Sequence, residues 1–493
     1  MIRDMTNSGL RRFLFKNTST SQTIVKNTFW LSFGEITGRL LRVLIIVFAA
    51  RILGAAGWGT FSYMTSLAAI LTVFSDIGIS GVMIREAAKS EEAKKTYFAT
   101  SSVIKLVLIA ASLVFILFGT DYITGIPLSR GIIYATGILF VFDSLRRFGT
   151  SLFRAEERME LEALINIVTQ VIIVGIGFLV IFTLPSPESL ATAYAIGAGA
   201  GLIITIYFLR DYISKTFSQF NKALIRPIIS AAWPMTLASV FGVLLVNIDT
   251  VMIGWFYDAS QVGFYSAAQK PIAFLYLLPA FIVGGLFPAL ARLTQKSISE
   301  FTRVLERGIA TITLVAYPIT LGIIFTASQI VSVFYGSEYL PAATSMQILA
   351  LSVLITFPVT VIIHAIFAQN RQREMVPIWV MGALVNVGLN FYLIPAIGII
   401  GAAWASLVTQ FGTGVFMWRK LKQINDFSLK GRFGSPIGAS VLMGLVILLM
   451  QSLSASFFII VPTAFVVYFY ALYILKDKTL YEIKTLLTRE NDS

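Results

Sequence analysis

Apolar residues run through this chain in long unbroken stretches, separated by short polar and basic segments. Fourteen stretches are long enough to cross a bilayer as helices, at about 20 residues each. They are 27–51, 60–84, 97–119, 130–152, 162–184, 188–209, 227–255, 262–290, 307–328, 341–366, 376–395, 398–418, 436–454 and 456–475. Spans 11 and 12 are joined by PAIG (395–398), and spans 13 and 14 by SASF (454–457). Strands of a membrane barrel would be short and would alternate apolar with polar residues. The pattern therefore predicts an all-α polytopic membrane protein with about 14 transmembrane helices.

The polar segments assign the two sides of the membrane. Lys and Arg concentrate in cytoplasmic loops. The N-terminal segment, the loops after even-numbered spans and the C-terminal tail carry 32 of the 38 basic residues, counting Arg146 and Arg147 near the end of span 4 with Arg154 and Arg158 of the loop that follows. The N-terminal segment contributes Arg3, Arg11, Arg12, Lys16 and Lys26, and the loop after span 6 contributes Lys215. The loops after odd-numbered spans hold only Arg130, with Arg51 at the outer end of span 1. Both termini are expected in the cytoplasm of a multi-pass protein of the cell membrane. This distribution accounts for most of the formal charge of +13, so no nucleic-acid partner is expected.

Four basic residues are left for the membrane interior: Arg39, Arg42, Lys105 and Lys270. The intramembrane acids are Glu35, Asp76, Asp143 and Asp249. The first span, NTFWLSFGEITGRLLRVLIIVFAAR, stands out. Glu35, Arg39 and Arg42 fall within a wedge of roughly 60° on one helix face. A charge at the bilayer centre costs about 3 kcal/mol on insertion scales, so this stripe should face protein or a water-filled cavity. Arginine's planar fork suits phosphate oxygens. Arg39 and Arg42 are thus candidates for an anionic headgroup, with Lys105 and Lys270 as further substrate-binding candidates. A purely structural i,i+4 pair of Glu35 with Arg39 is the competing reading. Glu35, Asp76 and Asp249 are candidates for ion coupling or gating. Asp143 and Arg146 have the spacing of a local i,i+3 pair.

Other chemistry is thinly represented. With no cysteine and one histidine, His364, there is no thiol chemistry and no basis for a His-based metal site. No cofactor is expected, and His364 is read as a structural hydrogen-bonding residue. No nucleotide-binding domain and no Gly-rich phosphate loop are visible. The outer loops are short, which argues against a membrane glycosyltransferase or polymerase. Pro234, Pro271, Pro279, Pro288, Pro318 and Pro358 interrupt spans 7 to 10 as kinks or hinges.

The chain repeats itself at an offset of 204. Gly38 falls on Gly242, Ala55 on Ala259, Gly59 on Gly263, Ser62 on Ser266 and Gly81 on Gly285. Six spans separate the copies, so they share one membrane orientation. Parallel repeats of this kind place a substrate path between halves. The organisation expected is a cytoplasmic segment 1–26, a six-helix bundle 27–209, a linker 210–226, a second six-helix bundle 227–418, a loop 419–435, two extra helices 436–475 and a tail 476–493.

The stretch GRLLRVLIIVFAARILGAAGWGTFSYMTSLAAILTVFSDIGISGVMIREAAK (38–89) resembles the opening of the polysaccharide transporters, the O-antigen and teichuronic-acid flippases. NIDTVMIGWFYDASQVGFYSAAQKPIAFLYLLPAFIVGGLFPALARL (247–293) is similar to their matching segment. These belong to the multidrug/oligosaccharidyl-lipid/polysaccharide exporter superfamily, with the lipid II flippases and the drug extrusion proteins. The resemblance implies two six-helix bundles around a central cavity, alternating access and a polyprenyl-(pyro)phosphate-linked oligosaccharide as substrate. It also implies glycosyltransferases or a polymerase of the same pathway as partners, and no enzymatic activity. Arg39 takes the place of a cavity arginine twelve residues before the turn Ala50-Arg51-Ile52-Leu53-Gly54. Ile45 and Ile46 stand where the lipid II branch carries an Arg-Asp pair, which favours the polysaccharide branch. The alternative is an ion-coupled small-molecule or drug exporter on the same fold. Basic residues in the cavity-candidate spans fit an anionic cargo better than a cationic one.

Overall fold

A computed structural model describes residues 17, 19–214, 218–294 and 296–489. The basic residues Arg3, Arg11, Arg12, Lys16 and Lys215 lie outside them. Every regular element among the described residues is a helix. In chain order these are α1 (Thr20–Phe74), α2 (Ile79–Ala87), α3 (Glu91–Val114, running on to Ile123), α4 (Arg130–Ala155), α5 (Met159–Thr183), α6 (Pro187–Ile213) and α7 (Ile225–Phe256). They continue as α8 (Ala259–Leu275), α9 (Leu277–Leu293), α10 (Ile298–Phe334), α11 (Ala342–Ala368), α12 (Val376–Ile424), α13 (Gly434–Ser452), α14 (Phe457–Ile474) and α15 (Lys478–Arg489).

All fourteen expected spans fall on helices. Ten stretches are long and apolar enough to cross a membrane among the described residues. One of these, in α12, contains two of the expected spans, and another, in α1, contains the first span and most of the second. In α1 the helix breaks at Gly54 (φ 68°, ψ 177°), between the first and second spans. In α12 it breaks at Ile397 and Gly398 (φ 63°, ψ −141°), between spans 11 and 12. Positive φ is a conformation that glycine adopts without steric cost, and both breaks are built on it. The remaining two spans are α4 and α7.

The repeat reappears in the breaks. Gly54 maps onto Asp258, and Asp258 lies between α7 and α8. The second helix of each copy is also interrupted. In the first copy the interruption runs from Ser75 to Gly78. In the second it falls at Tyr276, between α8 and α9. Pro279 has no N–H to offer the carbonyl of Leu275 four residues back, so the helix is weakest there. Pro271, Pro288, Pro318 and Pro358 are accommodated inside helices.

Packing divides the chain into two compact units, 1–260 and 261–493. The linker expected at 210–226 therefore precedes a helix, α7, that packs with the first unit. The first unit's core gathers Ile79, Met83, Phe98, Phe148, Leu152, Ile165, Leu209 and Ile228 from α2 to α7. Its basic edge is pinned by ion pairs. Lys26, buried at the start of α1, donates to Glu160 at 3.0 Å, and Lys94 reaches Glu156 at 3.2 Å. Beyond the second span, Lys89 at 2.5 Å and Arg85 at 2.9 Å hold Glu86. The Lys89 hydrogen bond leads in keeping that carboxyl below its ordinary pKa.

In the second unit the two extra helices pack on α10. Leu314 meets Met443, Ile447, Ile460, Tyr468 and Leu472. The Tyr468 hydroxyl donates to the Leu314 carbonyl at 2.6 Å, and Gln451 Nε2 donates to Phe325 O at 2.8 Å. The exposed residues of α13 and α14 are large and apolar, including Leu445, Leu449, Phe458, Ile459, Phe465 and Val466. Such surfaces suit hydrocarbon rather than water.

Candidate functional site

The charged stripe of α1 is set by how that helix packs. Gly34 and Gly38, one turn apart, lie against α5. A Cβ on Gly34 would come within 2.9 Å of the Cα and Cβ of Ala163, so the backbones meet at this point. Asn166 Nδ2 donates to the Gly34 carbonyl at 3.2 Å and fixes the contact. Further along, Ile45 is fully buried and packs where Gly177 leaves room. With Gly34, Gly38 and Ile45 turned to α5, Glu35 and Arg39 are left exposed at the flank of the contact. The other flank carries Phe33, Leu40, Leu44 and Phe48, all exposed and apolar.

Arg39 Nε donates to Glu35 Oε1 at 2.6 Å, with both side chains about half exposed. The i,i+4 pair therefore exists, and it is open rather than sealed. Arg42 Nε reaches Gln170 Oε1 of α5 at 3.4 Å. Arg42 is also in electrostatic reach of Tyr194 on α6 and of Asp143 and Arg147 on α4. Asp143 accepts from two arginines: Arg146 Nη2 at 2.7 Å and Arg147 Nε at 2.6 Å. The expected Asp143–Arg146 pair is present, and Arg147 joins it.

Lys105 and Asp76 are brought together. Lys105 Nζ lies 3.1 Å from Asp76 Oδ1 and 3.4 Å from Ser75 Oγ, and Ser80 Oγ donates to the same carboxylate oxygen at 2.5 Å. The Lys105 side chain is buried, and Asp76 is partly exposed. Asp249 is fully buried in α7 of the first unit. Lys270 is half-buried in α8 of the second unit. His364 Nδ1 is 2.8 Å from the Thr360 carbonyl, one turn back, and its ring meets Phe287 and Phe367 edge-on.

Glu35, Arg39 and Arg42 from α1 thus share one region with Asp143, Arg146 and Arg147 from α4. Lys105, paired with Asp76, stands within electrostatic reach of Asp143 and Arg147 on α4. The eight residues hold five cations and three carboxylates, an excess of two positive charges. Of these cations Arg39 and Arg147 are exposed, and a net positive group of this kind favours an anion over a cation.

Residues 24–294 of this sequence match the polysaccharide biosynthesis protein family. The chain belongs to that family. Among its relatives is a probable low-salt glycan biosynthesis flippase of Haloferax volcanii, 24% identical over 387 residues, covering 78% of this chain and 81% of that protein. A putative O-antigen transporter of Shigella flexneri is 21% identical over 398 residues, covering 77% of this chain and 93% of its own. In fold, the chain resembles a lipid II flippase in an inward closed conformation, with a TM-score of 0.74 at 18% identity over 90% of this chain and 98% of the other. It also resembles an inward-facing multidrug resistance MATE family transporter, with a TM-score of 0.64 at 14% identity over 78% and 95%. Within this family the α1 stripe lies inside the matched region, as do all the α4 charges.

The sequence reading missed Arg147. It was tallied with Arg146, Arg154 and Arg158 as part of a basic cytoplasmic loop. Both Arg146 and Arg147 lie inside α4, with about 12 Å of helix between Arg147 and the end at Ala155. The signal that could have found it is the spacing: Asp143 stands three residues before one arginine and four before the other, so one carboxylate can hold both.

Proposed function

We propose that this chain is a flippase that moves a polyprenyl-(pyro)phosphate-linked oligosaccharide from the inner to the outer leaflet, for cell-surface polysaccharide biosynthesis. The observation that carries the reading is the cationic stripe of α1, on which Arg39 is exposed and Arg42 half-buried. Arg39 and Arg42 share a largely apolar helix face with Glu35, and although Glu35 pairs with Arg39 the neighbouring charges leave an excess of positive charge. A phosphate-linked headgroup supplies the missing negative charge, and its prenyl tail stays in hydrocarbon beside the apolar flank of the same helix. The named activities of the relatives support this reading.

The cycle runs by alternating access in the cell membrane, with both termini in the cytoplasm. ATP hydrolysis by this chain is not needed. Displacing headgroup charge across the membrane is worth about 2.3 kcal/mol per charge per 100 mV, so the membrane potential can bias the cycle. Asp249 is the candidate for ion coupling, while Glu35 and Asp76 are held by Arg39 and Lys105 as gate carboxylates. Lys270 is the second unit's candidate cation. Glycosyltransferases or a polymerase of the same pathway are the expected partners.

The test is translocation in proteoliposomes of a fluorescent polyprenyl-pyrophosphate sugar, read as its accessibility to a quencher in the opposite leaflet. The wild type should move it, and an Arg39→Ala, Arg42→Ala double variant should not. Equal rates would remove the role given to the stripe. A drug exporter on this fold would instead move a cationic dye and tolerate the double substitution.

A further inference from the structure

We propose that Arg147 is a third headgroup-binding residue, presented by α4, and that Asp143 is the residue that positions it. The proposal rests on the flippase reading above and extends the site from one helix to two.

The argument begins with exposure along α4. Between Leu139 and Phe153, Arg147 is the single exposed residue. The exposed apolar residues of this helix, Tyr134 and Ile138, lie on another face. Nine residues separate Ile138 from Arg147, which places them about 180° apart around the helix. An arginine cannot be turned to hydrocarbon without the cost noted for the α1 stripe. Arg147 therefore belongs to the surface opposite the lipid-facing one. Glu35 and Arg42 of α1 are in electrostatic reach of it there.

The second step is the division of labour between neighbouring arginines. Arg146 is 5% exposed and Arg147 is 59% exposed, and both bind Asp143. Arg146 packs its stem against Gly201 of α6 beside Thr169 of α5, and its Nε is buried with no hydrogen-bond partner. A buried guanidinium needs a counter-charge, and Asp143 supplies it. The one negative charge of Asp143 is then committed to Arg146. For Arg147 the same carboxylate serves as an anchor through Nε, without cancelling the charge of the pair of arginines. Arginine's terminal amino groups form the second edge of the planar fork, and that edge suits phosphate oxygens. A side chain already held by its Nε loses less conformational freedom on binding than an unanchored one.

Lysine cannot reproduce this arrangement. It carries the charge but has no separate N–H to rest on Asp143 while its end binds an anion. The conservative substitution therefore distinguishes an anchored fork from a general positive field.

The experiment measures the affinity of the purified full chain in detergent for a fluorescent C15 prenyl diphosphate, with the matching prenyl alcohol as the uncharged control. Arg147→Ala is expected to weaken diphosphate binding by about tenfold, the effect of losing a charge-assisted contact, and to leave alcohol binding unchanged. Arg147→Lys should recover little of that loss. Asp143→Asn should weaken binding in the wild type but add almost nothing in an Arg147→Ala background, since the two residues act as one unit. Because Asp143→Asn also strips the buried Arg146 of its counter-charge, the Arg147 variants carry the test wherever that variant fails to fold. Full affinity in Arg147→Lys would overturn the anchored fork, and full affinity in Arg147→Ala would overturn the assignment altogether. If Arg147→Ala binds normally while Arg39→Ala, Arg42→Ala does not, the flippase reading stands and this extension falls. If the wild type itself does not prefer the diphosphate to the alcohol, both fall together.

Discussion

The first span of α1 and the helix α7 are copies of one another at an offset of 204, and they have been put to different uses. In α1 the stripe is Glu35, Arg39 and Arg42. In α7 the matching positions are Ser239, Val243 and Val246. The polar groups of α7 are turned inward instead. Asn247 Nδ2 returns to the carbonyl of Val243 at 3.0 Å, and Asp249 is fully buried. The backbone plan is shared, down to a break at Gly54 in one copy and at Asp258 in the other. The comparison teaches that the repeat supplies the scaffold, whereas the charged stripe of α1 has no counterpart at the matching positions of α7. An open ionic stripe needs an aqueous or ligand-filled surface, and a buried carboxylate needs protein.

Transplanting the stripe is the strongest way to break the comparison. Val243→Arg with Val246→Arg puts two charges at positions that this helix fills with apolar side chains. Each should cost about 3 kcal/mol. The measurement is membrane-inserted yield and thermal unfolding midpoint, both of which should drop sharply. Normal yield and stability would mean that α7 also borders a hydrated surface.

Removing the stripe comes next. Each arginine offers charge-assisted contacts, and losing one is worth about 2 kcal/mol. The Arg39→Ala, Arg42→Ala variant should lose at least about 100-fold in headgroup affinity. Its unfolding midpoint should change little, because the Glu35–Arg39 pair is exposed, such pairs contribute at most about 1 kcal/mol, and the Arg42–Gln170 contact is long at 3.4 Å.

Lys105 should show the reverse signature. Its buried ammonium holds Asp76, so Lys105→Met should destabilise by about 2–3 kcal/mol, the lower end for a broken buried pair because Asp76 remains partly exposed. Adding Asp76→Leu should restore most of that loss, and thermal unfolding of both variants checks it. No recovery in the double variant would give this pair a role beyond holding the fold.

The smallest effect belongs to Glu86, outside the spans. Its carboxyl is held below its ordinary pKa by Lys89, so the stability it adds is present above the unfolded pKa of about 4 and fades as pH falls below it. Glu86→Gln should remove that portion of the acid dependence and leave headgroup affinity unaltered.

Much of this was readable from the chain alone. Apolar runs of about twenty residues or more define the spans, since a lipid-spanning helix has no other way to satisfy its backbone. Glu35, Arg39 and Arg42 were conspicuous because they interrupt such a run. The pairing of Lys105 with Asp76 was not readable, since the partners lie on different helices and the contact depends on how the chain turns between Ser75 and Gly78. Arg147 was hidden for another reason. It lies close to the basic end of α4, and a loop-based count of Lys and Arg absorbs residues near a helix end. Only the packing of α4 shows that Arg146 is buried and Arg147 is open. The contact of Gly34 with Ala163 was likewise invisible, although it decides which flank of α1 is presented.

The central claim is that an open arginine stripe on one repeat copy recognises a phosphate-linked lipid. Its most direct test is the ratio of prenyl diphosphate to prenyl alcohol affinity, measured side by side for the wild type and for the Arg39→Ala, Arg42→Ala variant at matched salt. The account predicts a diphosphate preference of at least about 100-fold in the wild type that nearly vanishes in the variant. A preference that survives intact without the two arginines would contradict it.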